Sequence, residues 1–322
     1  MRIVFFGTPE FAIPPLSALG EAGHELPLVV TQPDRPAGRG RKPLPSPVKT
    51  FALDHGLPLA EPQDPNDPSF VERLRALEPD FVVVAAYGRK LGPAILTVPR
   101  FECLNIHPSL LPRHRGPAPI PRAILAGDRE TGVTIMRMSE EMDAGDIFAQ
   151  ERTAIVPGES AGDLSRRLAH LGAELLVATI PAIAQGKLEP KPQDHSAATY
   201  APALEKGDGA IPWERPADFL ERFVRAMDPW PRAFTFLMRP GREPLRVVVR
   251  RARAAEGPAG EPGRVARAEG ESLAVETGEG FLELLEVQPA GKRVMGAADF
   301  LRGYRLAPGQ RFSSRPEPPS PG

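Results

Sequence analysis

Asn105, His107 and Asp143 are the residues whose types and spacing could do chemistry: an amide, an imidazole and a carboxylate. Glu102-Cys103-Leu104-Asn105-Ile106-His107 reads as a strand, in which side chains alternate with period two. Asn105 and His107 are two apart and therefore project from one face into the same space. Pro108 and Pro112 stiffen the loop beyond the strand. Both side chains are thus expected at the carboxyl end of the strand, where open α/β sheets bind ligands. Two hydrogen-bond donors so placed suit a developing oxyanion. Asp143, in the glycine-containing stretch Met142-Asp143-Ala144-Gly145-Asp146, could supply an acid or base. The plain alternatives are satisfied polar groups at a strand end and an ordinary Asp-Ala-Gly-Asp turn.

A second cluster is cationic. Arg35, Arg39, Arg41, Lys42 and Lys49 are the basic residues between Arg35 and Leu53, a stretch with no acidic one. Its glycines and prolines leave Gln32 to Lys42 little chance of being helical, so an exposed, mobile loop is one reading. The other is a grip on phosphates or entry into a nucleic-acid groove. Gly7-Thr8-Pro9 occupies the place of a dinucleotide-binding fingerprint but has one glycine, and Pro9 lacks an amide to cradle phosphate. It reads as a tight turn, with Thr8 capping the next helix. His24, His55, His170 and His195 are scattered without metal-ligand spacing, and no metal is expected. Cys103, the single cysteine, reads as a packed thiol and excludes an intrachain disulfide.

The elements that must position these groups alternate. Arg2 to Gly7, Leu26 to Thr31 and the β-branched run Phe81 to Ala86 read as buried strands, with helical patterns at Ser46 to His55 and Ser69 to Leu77. That alternation predicts a doubly wound, mostly parallel α/β sheet. Gly132 to Met138 and Asp146 to Val156 read as strands flanking Asp143, and a helix from about Ser160 to Gln185 closes this half. Residues 187–207 lose periodicity and read as a linker. Beyond it lie a short helix and five strands separated by glycine-rich turns, which suit a second, smaller OB-like β-barrel. The expected division is a catalytic domain over 1–186, a linker over 187–207, a barrel over 208–310 and a fraying tail over 311–322.

At 322 residues, with 40 basic and 41 acidic side chains, the chain offers no global field for nucleic acid or membrane. The local balance differs: Lys206 onward carries 19 basic against 16 acidic residues. No secretory leader is read at the N-terminus, and no apolar stretch is read as approaching the ~20 residues that span a bilayer. A cytoplasmic protein with no membrane partner is expected.

The motifs together resemble the folate-dependent formyltransferases. Asn105-x-His107, Ser109-Leu110-Leu111-Pro112, Asp143 and Tyr87-Gly88 match that wider family. Gln32 to Gly40, Arg113-His114-Arg115-Gly116-Pro117-Ala118-Pro119-Ile120, Asp228-Pro229-Trp230-Pro231 and Gln288 to Lys292 resemble its methionyl-tRNA branch, and the likeness runs from Arg2 to about Gly309. The resemblance implies transfer of a formyl group from 10-formyltetrahydrofolate, as donor substrate, to the amino group of initiator methionyl-tRNA. It implies Asn105, His107 and Asp143 as the catalytic trio, and Ser109, Leu110, Leu111 and Pro112 as folate contacts. It further implies Arg39, Arg41 and Lys42 as tRNA contacts, and a monomer. His114 and Pro117 stand where relatives often carry tryptophan and alanine. A formyltransferase for a small amine, a dinucleotide oxidoreductase and a non-catalytic RNA-binding protein are the competing readings. The first has little use for the basic loop and second domain, the second lacks the glycine fingerprint, and the third leaves the trio idle.

Overall fold

A computed structural model of the chain describes residues 1–37 and 42–316. Two compact units emerge. Unit 1 comprises residues 1–119, 129–155 and 163–202, and unit 2 comprises 120–128, 156–162 and the rest from Ala203.

The strands of unit 1 are β1 (Arg2–Gly7), β2 (Glu25–Val30), β3 (Arg35–Ala37), β4 (Lys42–Leu44), β5 (Leu59–Ala60), β6 (Phe81–Ala85), β7 (Glu102–His107), β8 (Glu130–Arg137) and β9 (Ile147–Ala154). Seven of them form one sheet in the order β5-β2-β1-β6-β7-β8-β9. It is parallel from β5 to β7 and antiparallel from β7 to β9. The continuous apolar runs in β1 and β6 pair Phe5 with Val83 and Phe6 with Val84, and all four are buried, as a sheet covered on both faces requires. The order turns at β1, flanked by β2 and β6, which places the switch point of the doubly wound sheet there. Between the parallel strands lie α1 (Ile13–Glu21), α2 (Pro47–Asp54), α3 (Pro68–Ala76) and α4 (Pro93–Leu96). Ser46 and Asp67 cap α2 and α3 through side-chain oxygens, each with proline at the first helical position. Thr8 does not cap α1. Its hydroxyl donates instead to the Tyr87 carbonyl, and a short turn over Glu10–Ala12 intervenes before Ile13.

Two further helices, α5 (Pro119–Ala126) and α6 (Ala161–Ala184), carry residues of both units. By length and composition alone α6 would pass for a membrane span, contrary to the expectation that no such stretch exists. Its buried side chains, Leu164, Leu168, Leu176 and Ile180, show a core helix instead. Gly172 permits its close approach to the sheet, since a Cβ there would lie 2.8 Å from Ile106, between the two candidate catalytic residues of β7.

Unit 2 contains α7 (Ala217–Ala226), then β10 (Phe234–Arg239), β11 (Arg242–Ala255), β12 (Val265–Glu269), β13 (Ser272–Glu276), β14 (Phe281–Pro289) and β15 (Met295–Gly296), followed by α8 (Ala297–Tyr304) and β16 (Phe312–Ser313). The order β12-β13-β14-β11-β10-β16 is antiparallel, and the Arg264–Arg311 bridge brings its two ends together in a small barrel. Trp213 is buried, donating to Thr235 Oγ1 at 3.0 Å, with its ring 6.1 Å from that of Phe312.

Phe312 corrects the expected tail. Residues 311–316 are not loose: the Phe312 side chain is fully buried and β16 pairs with β10, because an aromatic ring finds core space and β10 offers an unpaired edge. Residues 187–202, read as linker, group with unit 1. Missing periodicity excludes a helix or long strand there, but not a segment that pairs through loops.

Candidate functional site

The carboxyl ends of β1, β2 and β6 are knitted together by side chains. Gln32 Nε2 donates to the Tyr87 carbonyl at 2.6 Å, and Thr31 Oγ1 lies 2.7 Å from Ser46 Oγ. Lys49 Nζ is 2.8 Å from both Asp34 Oδ2 and Glu61 Oε2, and these carboxylates hold its ammonium above its ordinary pKa. This framework anchors both ends of the basic segment, whose flanks pair as the antiparallel β3 and β4 rather than forming a plain loop. Arg39 and Arg41 lie outside the described residues, and Lys42 opens β4.

β7 delivers the candidate catalytic groups. Its neighbours β6 and β8 fix it on both sides, with Asn105 opposite Val84 and Met136. Asn105 and His107 do face the same space. Asp143 Oδ1 lies 3.4 Å from Asn105 Nδ2 and 3.6 Å from His107 Nδ1. The other carboxylate oxygen accepts the Gly116 N–H at 2.8 Å. His107 is 4% exposed, and its Nε2 lies 2.9 Å from the His114 carbonyl. A carbonyl only accepts, so Nε2 carries a proton and Nδ1 faces the carboxylate.

Gly116 has to be glycine. Its φ is +107°, and a Cβ would stand 2.6 Å from the Tyr200 ring and 2.9 Å from the Ala201 carbonyl. The Asp143 backbone is also left-handed, at φ 51°, a sparsely populated conformation for a residue with a side chain. Chemically, one carboxylate oxygen is pinned by a backbone donor while the other faces an amide and an imidazole. That arrangement can accept a proton and leaves one Asn105 N–H for a reacting oxygen, whereas His107, expected as a second donor, has its Nε2–H engaged by the His114 carbonyl.

The Ser109–Pro112 segment adjoins the trio but is largely turned inward. Ser109 Oγ donates to the Arg113 carbonyl at 2.7 Å, and the Ser109 carbonyl accepts from Thr134 Oγ1 at 2.7 Å. Leu111 is buried, its N–H on Thr134 Oγ1 and its carbonyl on Gln150 Nε2. Leu110 and Pro112 are half-buried. Cys103 is packed beneath, and burial pushes its thiol far up, which suits a core residue rather than a nucleophile. Among the described residues, no group of three or more His, Cys, Asp or Glu could hold a metal ion.

Sequence reasoning missed the strap formed by residues 191–201. Arg115 N–H donates to the Thr199 carbonyl at 2.8 Å, His114 N–H to Thr199 Oγ1 at 2.8 Å, and Ala201 N–H to the Arg115 carbonyl at 2.6 Å. Gln193 is buried against the Asp143 loop. The one available signal was Gln193 itself, a polar residue among prolines with no periodic face to belong to.

Known proteins share both the sequence pattern and the fold. Residues 1–180 match the formyl transferase family profile, and residues 203–305 match the formyl transferase C-terminal domain. The chain is 47% identical to a methionyl-tRNA formyltransferase of Moorella thermoacetica, over 96% of this chain and 98% of that one. It is 49% identical to a methionyl-tRNA formyltransferase of Methylococcus capsulatus, over 98% and 100%. Among solved structures, HypX from Aquifex aeolicus in complex with tetrahydrofolic acid superposes with TM-score 0.63 at 21% identity, covering 94% of this chain. This chain spans about half of HypX, 47% of its length. An N-formyltransferase from Helicobacter canadensis, in complex with folinic acid and dTDP-3-aminofucose, gives TM-score 0.64 at 16% identity over 88% of this chain and 98% of that one. At such identities the two structures speak for the fold.

Proposed function

This chain belongs to the methionyl-tRNA formyltransferase family, and we propose that it moves the formyl group of 10-formyltetrahydrofolate onto the amino group of methionine carried by initiator tRNA. The observation that carries the chemistry is the Asp143 carboxylate, held by the Gly116 N–H and facing both Asn105 and His107. The acceptor amine is the nucleophile, so the chain needs to supply donors, a proton acceptor and position.

The amine nitrogen bonds to the formyl carbon, negative charge gathers on the formyl oxygen, and the carbon–nitrogen bond to the folate breaks as that nitrogen takes up a proton. Asn105 Nδ2 carries a second N–H beyond the one directed at Asp143, and that N–H serves the developing oxyanion. Loss of one such donor costs about 3 kcal/mol, roughly a hundredfold in rate. His107, with Nε2–H engaged by the His114 carbonyl, turns Nδ1 toward Asp143 and shares the proton that leaves the amine. Ser109, Leu110, Leu111 and Pro112 form the folate-side wall, contributing shape more than polar side chains.

Arg39, Arg41 and Lys42 contact the acceptor end of the tRNA, and unit 2 holds its backbone. Unit 1 carries the formyl chemistry. The protein works as a cytoplasmic monomer, which size-exclusion chromatography with light scattering tests.

The deciding assay tracks labelled formyl from the folate to initiator methionyl-tRNA, with glycinamide ribonucleotide and an amino sugar nucleotide as competing acceptors. Transfer to the tRNA alone is expected. Preferential transfer to a small amine would replace the proposed acceptor while keeping the trio.

A further inference from the structure

Gln193 comes from the strap rather than from the sheet or the Asp143 loop, yet its side chain is 6% exposed and uses all of its hydrogen-bonding capacity. Its Oε1 accepts from Arg115 Nε at 3.1 Å and Nη2 at 2.8 Å. Its Nε2 donates to the Asp143 carbonyl at 2.9 Å and to the Gly145 carbonyl at 2.7 Å. Guanidinium only donates and carbonyls only accept, so the amide has one possible orientation. Arg115 is equally fixed. It is 8% exposed, Nη2 also reaches His195 Nδ1 at 3.2 Å, and Glu141, 3.8 Å from Nη1, is largely in solvent. The buried guanidinium therefore leans on neutral acceptors, chiefly Gln193 Oε1.

The carbonyls that Gln193 holds are those of Asp143 itself and of the residue two further on. Asp143 adopts a left-handed backbone, which a side-chain-bearing residue keeps only where its surroundings over-determine it. Gly116 N–H fixes the carboxylate from one side and Gln193 fixes its backbone from the other. We propose that Gln193 is a positioning residue of the transfer reaction: by gripping the Asp143 and Gly145 carbonyls, its amide sets where the Asp143 carboxylate stands relative to Asn105 and His107. The inference rests on the reading of Asp143 as the proton acceptor.

Gln193→Glu is the discriminating variant. It keeps the shape and the Arg115 contacts but turns the two donors into a carboxylate facing two carbonyls. In the full-length protein, kcat for methionyl-tRNA is expected to fall about a hundredfold, the scale of an ångström-size misplacement. The KM values for tRNA and folate are expected to stay within about twofold. Arg115→Lys, which retains charge but loses the forked donor, should give a weaker loss of the same kind, about tenfold in kcat. In an Asp143→Asn background, added Gln193→Glu should change the residual single-turnover rate by less than about threefold, because both act through one group. An unchanged kcat in Gln193→Glu, a loss confined to KM, or the same fold loss in both backgrounds would each overturn the assignment. If Asp143→Asn alone left turnover intact, the reading of the site would fail first. If it abolished turnover while Gln193→Glu did not, only the positioning role would be wrong.

Discussion

Around Asp143 the side chains of His107, Arg115 and Gln193 in unit 1 are buried and held by hydrogen bonds, whereas Arg251 and Arg253 of β11 in unit 2 stand in solvent beside carboxylates of β14. Arg251 pairs with Glu286 at 3.1 Å and Arg253 with Glu283 at 2.5 Å, with the arginine side chains about 70% exposed. Such pairs contribute little to stability, about 0 to 1 kcal/mol each, and leave long side chains adjustable. The difference matches the two tasks proposed for the units. Proton transfer and oxyanion stabilisation demand atoms held to a fraction of an ångström. Contact with a phosphate backbone demands charge within reach, and it tolerates adjustment because the electrostatic term is sequence-independent.

The comparison breaks most sharply at Asp143. Asp143→Asn should cut the single-turnover rate about a thousandfold while leaving tRNA affinity near normal. Normal turnover in that variant would remove the carboxylate from the mechanism.

Gly116→Ala asks whether the matched corner tolerates one methyl group. The strain at φ +107° and the overlap with the Tyr200 ring should cost about 2 kcal/mol in stability. Turnover should fall as well, since the same N–H holds Asp143, and denaturant melts alongside initial rates would show both losses together. A stable, fully active protein would show that the corner adapts in the way the barrel surface does.

Arg39→Ala probes the proposed tRNA contact. It should raise KM for methionyl-tRNA several-fold, on the order of fivefold, spare folate binding, and lower the salt slope of tRNA binding by about one. Loss of folate affinity would reassign the basic segment to the donor.

The smallest effect lies in the strap's own turn. Ser196, through its hydroxyl and then its N–H, holds the Asp194 carboxyl below its ordinary value of 3.8. A depressed carboxyl stabilises the fold fully above 3.8 and loses that contribution as pH falls through the lower folded value. Asp194→Ala should therefore lower the melting temperature slightly near neutral pH and converge with wild type in strong acid. A difference that persisted in acid would trace to packing instead.

Local patterns made much of the molecule visible. Asn105 and His107 could be assigned to one face because strand periodicity is a property of the backbone. The apolar runs of β1 and β6 likewise announced a covered parallel sheet. Other features had no local signature. The β3–β4 pairing lies in a proline- and glycine-rich stretch that reads as loop, and the two-residue β5 is too short for a pattern. Phe312 followed by Ser-Ser-Arg-Pro reads as tail, because nothing nearby shows that Trp213 and Thr235, about 100 and 80 residues earlier, await it.

Sequence by itself determined the sheet, the residue types at its carboxyl edge and the kind of chemistry they permit, since periodicity and side-chain chemistry are local. Tertiary structure alone decided that Asp143 meets both Asn105 and His107, that Gly116 holds its carboxylate, and that a patternless strap sends Gln193 beneath it. Those contacts join positions between 27 and 50 residues apart. They exist only after the chain has closed the intervening loops at an entropic cost that the packed sheet and helices offset.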